Sequence, residues 1–90
     1  QALLALEQQI GHALASARVS GMEWRGWSRS AAQIAEDVAG EALGSDRERA
    51  LRLSQVAALL RGALRSSPQE ALHLLSRAAH DTRISALPQG

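Results

Sequence analysis

The sequence predicts an all-α fold, a small bundle of three to four amphipathic helices, on three observations. Alanine and leucine supply most of the 46% hydrophobic content, whereas aromatic residues make up 2% of the chain. Alanine and leucine are the best apolar helix formers, and the aromatic and β-branched residues that favour strands are scarce. Apolar residues recur at three- and four-residue steps, which is the period of a helix. Because small side chains bury little area each, we expect a thin core and closely packed helices.

The length and charge of the chain restrict the class of protein. Ninety residues without cysteine predict one domain with no disulfide and no thiolate metal site. The net charge of +1, from ten arginines against nine acids, argues against a dedicated binder of nucleic-acid backbones. No apolar run reaches the length of a membrane span and no signal segment opens the chain, which favours a cytoplasmic protein. The first residue is not methionine, so we expect a processed product or a piece of a longer protein.

The first predicted helix covers residues 2–18, and the segment 19–29 is predicted to connect it to the second. In this connection Trp24 and Trp27 flank Gly26. The two rings either fill one end of a small core or form an exposed contact site for a partner. The helix has one apolar stripe, which consists of Leu3, Leu6, Ile10, Ala13 and Ala17.

The second predicted helix covers residues 30–43. Ser30 with Gln33 three residues later fits a capping box, and Gly44 is placed to end the helix in a left-handed conformation. The alternative is that Gly44 and Ser45 form only a bend, so that one long helix runs from Ser30 to Arg65. The stripe of the second helix consists of Ala31, Ile34, Ala35, Val38 and Ala42.

Two further start signals predict the remaining helices. Ser45 with Glu48 forms a second capping box and opens a helix over residues 46–65. The clearest signal is Ser67-Pro68-Gln69-Glu70, which offers a serine cap, a proline at the first helical position and a glutamate at the third. It opens a helix over residues 68–82, and residues 83–90, with Ile84, Leu87 and Pro88, are predicted as a tail. Residues 1–90 therefore form one helical domain.

No catalytic constellation, metal site, cofactor site or small-molecule site is predicted. Glu70 and His73 have the Glu-x-x-His spacing that is half of a carboxylate-bridged metal site, but the chain has only one copy of it. By helical angle both residues lie on the polar side of their helix, together with His80. We therefore expect a solvated face here and a protein that is not an enzyme.

A helix-turn-helix is the alternative from another functional class. Arg47, Arg49 and Arg52 stand early in the third helix, which suits a recognition helix in the major groove of DNA. The turn over residues 40–45 is longer than usual, however, and the preceding helix is acidic. DNA binding therefore ranks second among the predicted functions.

A short motif near the tryptophans resembles a known family. Trp24-Arg25-Gly26, preceded by one amphipathic helix and followed by Ser30-Ala31-Ala32-Gln33 and another, looks like the WXG family of type VII (ESX) secretion in bacteria. In that family Trp-x-Gly lies in the turn of a helical hairpin, and two hairpins pair into a four-helix dimer. The resemblance covers about residues 1–44. It implies that Trp24 and Gly26 mark a coiled-coil-like hairpin, that the first two stripes form a dimer seam, and that the protein is exported without a signal peptide.

Taken with the thin core, these features predict a non-enzymatic protein-interaction module, either a secretion-associated subunit or an adaptor or chaperone in a larger complex. We expect a protein partner or a homodimer. Apolar residues off the main stripes leave surface for it: Leu4, Leu51, Leu59, Leu74 and Ile84. The predicted partner-binding residues are Trp24, Gly26, Trp27, Leu3, Leu6, Ile10, Ile34 and Val38.

Overall fold

Four helices joined by short connections make up the fold, and the all-α prediction is confirmed. A computed structural model describes residues 2–86, leaving aside the side chain of Ala2. The helices are α1 (Ala2–Arg18), α2 (Glu23–Ala42), α3 (Arg47–Ala63) and α4 (Pro68–Ala86). No strand occurs in this described range.

The helices form an up-down-up-down bundle. Each connection has four residues, over positions 19–22, 43–46 and 64–67, and such short links place neighbouring helices antiparallel. α2 packs against α1 and α3, and α4 packs against α3 and α1. The bundle is 38 Å along its longest axis, slightly more than the length of its longest helix.

The core is built mainly from alanine, as the composition predicts. Trp24 is the largest fully buried side chain, followed by Leu6 and Ile10 from α1 and Leu53 and Leu60 from α3. Most other buried apolar positions are alanines, which lets the helix backbones approach closely. The buried alanines are Ala13, Ala17, Ala31, Ala32, Ala35, Ala39, Ala50, Ala57, Ala63, Ala71 and Ala78.

The second helix begins seven residues earlier than predicted. α2 starts at Glu23, so Ser30 lies inside the helix and caps nothing, and the predicted connection over 19–29 shrinks to 19–22. The cause is that Trp24 and Ser28 continue the buried face of Ala31 and Ala35 toward the start of the helix. Gly26 costs about 1 kcal/mol within a helix, and the burial of a tryptophan offsets it.

The break between α2 and α3 is real, so the alternative of one long helix is wrong. The capping residue is Asp46 rather than Ser45: its Oδ1 accepts a hydrogen bond from the Arg49 amide at 3.1 Å. Gly44 does not adopt a left-handed conformation, since no glycine in the described range has a positive φ. The residue with a positive φ is Ser20, which follows α1.

The capping box predicted at the start of the fourth helix is confirmed, and both of its hydrogen bonds are present. Ser67 Oγ accepts a hydrogen bond from the Glu70 amide at 3.3 Å, and Glu70 Oε1 accepts one from the Ser67 amide at 3.2 Å. The helix continues to Ala86, so residues 83–86 are helical rather than a tail. They are held because Thr82 and Ser85 are buried on the face that Ala71, Leu75 and Ala78 begin. The rest of the predicted tail, residues 87–90, lies outside the described residues.

This capping box is expected to stabilise the bundle measurably. Replacing Ser67 by alanine removes the acceptor of the Glu70 amide and should lower the free energy of unfolding by about 1 kcal/mol. Urea denaturation followed by circular dichroism measures the change. The matched control is Ser30→Ala, at an exposed helical position, which should leave stability nearly unchanged; an equal loss at both sites would contradict the cap.

Candidate interaction surfaces

Trp24 stands in the first turn of α2 and points into the core. Its side chain is 0% exposed, and its indole Nε1 has no hydrogen-bond acceptor in the described part of the chain. The Arg25 guanidinium lies 4.4 Å from the centre of the Trp24 ring, and Nη2 of Arg25 donates to the carbonyl oxygen of Ser66 at 3.4 Å. Trp24 thus fills the end of the bundle beside the α3–α4 connection. The prediction that it anchors a partner is corrected, because a partner cannot reach it in the folded chain.

Trp27 and Gly26 lie outside the core. Trp27 is half-buried, and its ring packs against the imidazole of His12 on α1, with centroids 4.6 Å apart and planes at 31°. This contact covers the outer side of the α1–α2 pair. Gly26 is exposed, and a Cβ added there would meet nothing within 4 Å, so no close packing requires a glycine. Of the three residues predicted around this turn, Trp27 alone offers apolar surface.

The stripes predicted as a dimer seam form the interior of the single chain instead. Leu6 and Ile10 are fully buried, and Leu3, Ile34 and Val38 are half-buried and packed against the same core. Each stripe is covered because α3 and α4 close over the α1–α2 pair. The assignment of these residues to a partner surface is therefore corrected for Leu6 and Ile10. Leu3, Ile34 and Val38 keep only their outer edges in solvent.

The candidate metal-ligand residues are dispersed, as far as the structure describes the chain. Glu70, His73 and His80 are exposed on α4, and the Glu70 carboxylate accepts the hydrogen bonds of the α4 cap. Within residues 2–86 no group of three or more histidine, aspartate or glutamate side chains converges to hold a metal ion.

The geometry of α2 and α3 differs from a helix-turn-helix. Ser28 Oγ donates to the carbonyl oxygen of Leu60 at 2.8 Å, so the two helices remain side by side more than three turns away from their connection. A helix-turn-helix instead crosses its helices at about 90–120°, which would separate these positions widely. The pair α2–α3 is an antiparallel hairpin, and Arg47, Arg49 and Arg52 do not lie on a recognition helix of that kind.

An ion pair joins the outer sides of the same two helices. Arg61 donates through Nη2 and Nε to the two carboxylate oxygens of Glu36, at 2.9 and 3.0 Å. This hydrogen-bonded contact lowers the pKa of Glu36 below its ordinary 4.5 and raises the pKa of Arg61. Both side chains are largely solvated, so the pair orients the helices more than it stabilises them.

A shallow groove between α3 and α4 collects the apolar residues that lie off the main stripes. Leu59 and Leu74 are half-buried along it, and the small residues Ala58 and Gly62 also line it. A Cβ added to Gly62 would lie 3.8 Å from the Leu74 side chain, which places these two residues at the same height in the bundle.

Two exposed apolar residues lie beyond the lining of this groove, on the same two helices, toward the other end of the bundle. Leu51 lies three turns before Gly62 on α3, and Ile84 lies about three turns after Leu74 on the antiparallel α4. Their side chains are 59% and 37% exposed. We call this surface the α3–α4 face, made of Leu51, Ala58, Leu59, Gly62, Leu74 and Ile84. Among the residues that the sequence places off the stripes, only Leu4 lies elsewhere, exposed on α1.

No protein-family model matches the sequence, and comparisons with characterised proteins and with solved structures find no similar protein. Across residues 2–86, none of the helices combines the length and the apolar character that a membrane crossing requires.

Proposed function

We propose that this chain is a non-enzymatic protein-interaction module that binds through the α3–α4 face. The observation that carries the proposal is the line of Leu51, Leu59, Leu74 and Ile84, which leaves two large apolar side chains in solvent beside two that are half-buried. Several apolar side chains that follow the same two helices are typical of a docking site, whereas single exposed leucines are common on any protein.

The shape of the α3–α4 face suits a helix of a partner. From Gly62 to Leu51 it follows eleven residues of α3, which is about 16 Å or three helical turns. Ala58 and Gly62 are small, so a partner helix can approach the backbone closely and place its own large side chains there. An amphipathic helix laid into an apolar groove is a recurring mode of recognition.

Charged side chains border the groove and give it direction. Arg77 and Asp81 line it on α4, and Gln55 lines it on α3. A positive and a negative group one turn apart favour one orientation of a partner over the other. This arrangement supports specific recognition rather than adhesion to any apolar surface.

More specifically, we propose that the chain is a secretion-associated subunit, or an adaptor or chaperone in a larger complex. Its support is the resemblance of Trp24-Arg25-Gly26 to the WXG family, together with the antiparallel α1–α2 pair. The motif follows the α1–α2 connection directly, in the first turn of α2. In the WXG family a second chain supplies the hairpin that packs against the first hairpin. Here α3 and α4 of the same chain occupy that position.

Photo-crosslinking at single positions tests the proposed surface. Benzoylphenylalanine placed at Leu51 or at Ile84, in the full chain expressed in its source cells, should yield covalent adducts with a polypeptide. Mass spectrometry of the adduct then shows whether the partner is a secretion component, another protein or this chain itself. The matched control is Leu43, which is 62% exposed in the α2–α3 connection and lines the groove between α2 and α3 instead. The absence of adducts at Leu51 and Ile84, or adducts that are equally strong at Leu43, would overturn the proposal.

A further inference from the structure

The outward side of α4 carries a pattern that is symmetric about its own centre. Leu74, Arg77, Asp81 and Ile84 follow one another at steps of three, four and three residues, in the order apolar, basic, acidic, apolar. A second α4 that runs antiparallel and is centred on the same point sets Arg77 opposite Asp81 and Leu74 opposite Ile84. Each contact then occurs twice, which is the property of an interface between identical chains related by a two-fold axis.

Arg77 and Asp81 have no ionic partner among residues 2–86. Neither the Arg77 guanidinium nor the Asp81 carboxylate forms an ion pair or a hydrogen bond in the part of the chain that the structure describes, where Arg61–Glu36 is the ion pair present. A basic residue that precedes an acidic one by four positions is the less favourable order for a pair within one helix. Both groups are therefore available to a second chain.

The residues that α3 contributes to the α3–α4 face are compatible with the same two-fold axis. Gly62 is level with Leu74, so Leu51, eleven residues earlier on α3, is level with Ile84 on the antiparallel α4. Rotation about the axis brings Leu51 of one copy opposite Gly62 of the other. The glycine leaves room for the leucine side chain, and the two contacts are again reciprocal.

The charge of the whole bundle favours the antiparallel arrangement as well. The half that contains the α1–α2 and α3–α4 connections is basic, with six arginines and two glutamates, namely Arg18, Arg25, Arg29, Arg61, Arg65, Arg77, Glu23 and Glu70. The other half is acidic, with seven acids and four arginines, namely Glu7, Glu36, Asp37, Glu41, Asp46, Glu48, Asp81, Arg47, Arg49, Arg52 and Arg83. Antiparallel copies place unlike halves together, whereas parallel copies place like halves together.

We infer that the occupant of the α3–α4 face is a second copy of this chain, docked antiparallel in a two-fold symmetric dimer. The inference rests on the proposed function, because it names the partner of the surface proposed there. The reciprocal Arg77–Asp81 pairs set the register, and the four apolar residues around them supply the buried area. Trp24 and the α1–α2 pair take no part in this interface.

Charge reversal and rescue test the dimer. Sedimentation equilibrium of the full chain should give twice the 9.6 kDa of the monomer. Arg77→Asp places aspartates opposite each other, and Asp81→Arg does the same with arginines, so each should weaken dimerisation about tenfold or more. The double variant Arg77→Asp/Asp81→Arg restores unlike pairs and should recover the wild-type dissociation constant within about threefold.

A matched variant distinguishes the effect of the Arg77–Asp81 pairs from the effect of a changed net charge. Arg83→Asp changes the net charge as much as Arg77→Asp does, but Arg83 lines the groove between α1 and α4 instead. It should leave dimerisation nearly unchanged, and circular dichroism should show all four variants equally helical. A wild-type chain that stays monomeric at millimolar concentration would overturn the dimer. A dimer that the single reversals do not weaken, or that the double variant does not restore, would overturn the antiparallel register.

The crosslinking experiment distinguishes a failure of the dimer from a failure of the proposed function. An adduct at Leu51 with a different polypeptide keeps the α3–α4 face as an interaction surface and removes the second copy as its occupant. An adduct with twice the mass of the chain supports both. The absence of an adduct at Leu51 and Ile84 removes both.

Discussion

Replacement of Trp24 by alanine should lower the free energy of unfolding by about 3–5 kcal/mol. Trp24 is the largest fully buried side chain, and its neighbours in the core are mainly alanines, which are too small to fill the space it leaves. The stacked guanidinium of Arg25 would also lose the ring beneath it. A domain of this length has a total stability of roughly 5–13 kcal/mol, so the variant would lie close to unfolding. Urea denaturation monitored by far-UV circular dichroism measures the loss.

Trp27→Ala is the matched control for this prediction. It removes the same ring three residues away, but Trp27 is half-buried at the edge of the core and also packs against the exposed His12 ring. We expect a loss of about 1–2 kcal/mol, in proportion to the smaller apolar area that Trp27 removes from water. Equal losses at the two positions, or a larger one at Trp27, would show that the assignment of Trp24 to the core is wrong.

Leu53→Ala should destabilise the chain by about 2–5 kcal/mol, the second large effect that we expect. Leu53 is fully buried in α3, and the alteration leaves a cavity that the rigid helix backbones fill only in part. The same substitution at Leu51, two residues earlier, should change the free energy of unfolding by less than about 0.5 kcal/mol, because that side chain is mostly in solvent. Thermal and urea unfolding of both variants, at a concentration where the chain is monomeric, provide the comparison.

The same pair of variants connects stability with binding. Leu51→Ala should weaken self-association, since Leu51 belongs to the α3–α4 face, while it leaves the monomer stable. Leu53→Ala should weaken it only through the fraction of unfolded chains. A Leu51→Ala variant that unfolds as easily as Leu53→Ala would mean that Leu51 belongs to the core and not to the α3–α4 face.

Local signals in the sequence were sufficient for the first helix and for the start of the fourth. The first helix, residues 2–18, and the start of the fourth at Ser67-Pro68 agree with the structure. The first follows from an unbroken apolar period and the second from a capping box of four consecutive residues, and a sequence displays both directly. The fold class follows from composition and period for the same reason.

The start of α2 depends on contacts that are distant in the chain, and there sequence reasoning failed. Gly26 and the serines of this segment are typical of a connection. Burial of Trp24 and the hydrogen bond from Ser28 to Leu60 hold it in the helix, and the latter joins residues 32 positions apart. The tertiary gain exceeds the local preference, and the one signal of it in the sequence is that Trp24 and Ser28 continue the helical spacing of the second stripe.

The candidate site illustrates a second limit of sequence reasoning. The periodicity of Leu6 and Ile10 shows that one side of α1 is covered, but it does not show whether the cover comes from the same chain or from a partner. The structure supplies the cover from α2 and α4. Apolar residues off the regular stripes, such as Leu51 and Leu59, predicted solvent-accessible apolar surface better than the stripes did. The stripes themselves are covered by the other helices of the same chain.

The order of the helices around the bundle has a consequence for the speed of folding. Three of the four packed helix pairs are consecutive in the chain, and only α1–α4 joins its two ends. Most native contacts therefore close short loops, and little chain entropy is lost before they form. Chains with such local topology fold within microseconds to milliseconds. This molecule should reach its native state on that timescale even though its core is thin, with the closure of α4 onto α1 as the step that spans the greatest length of chain.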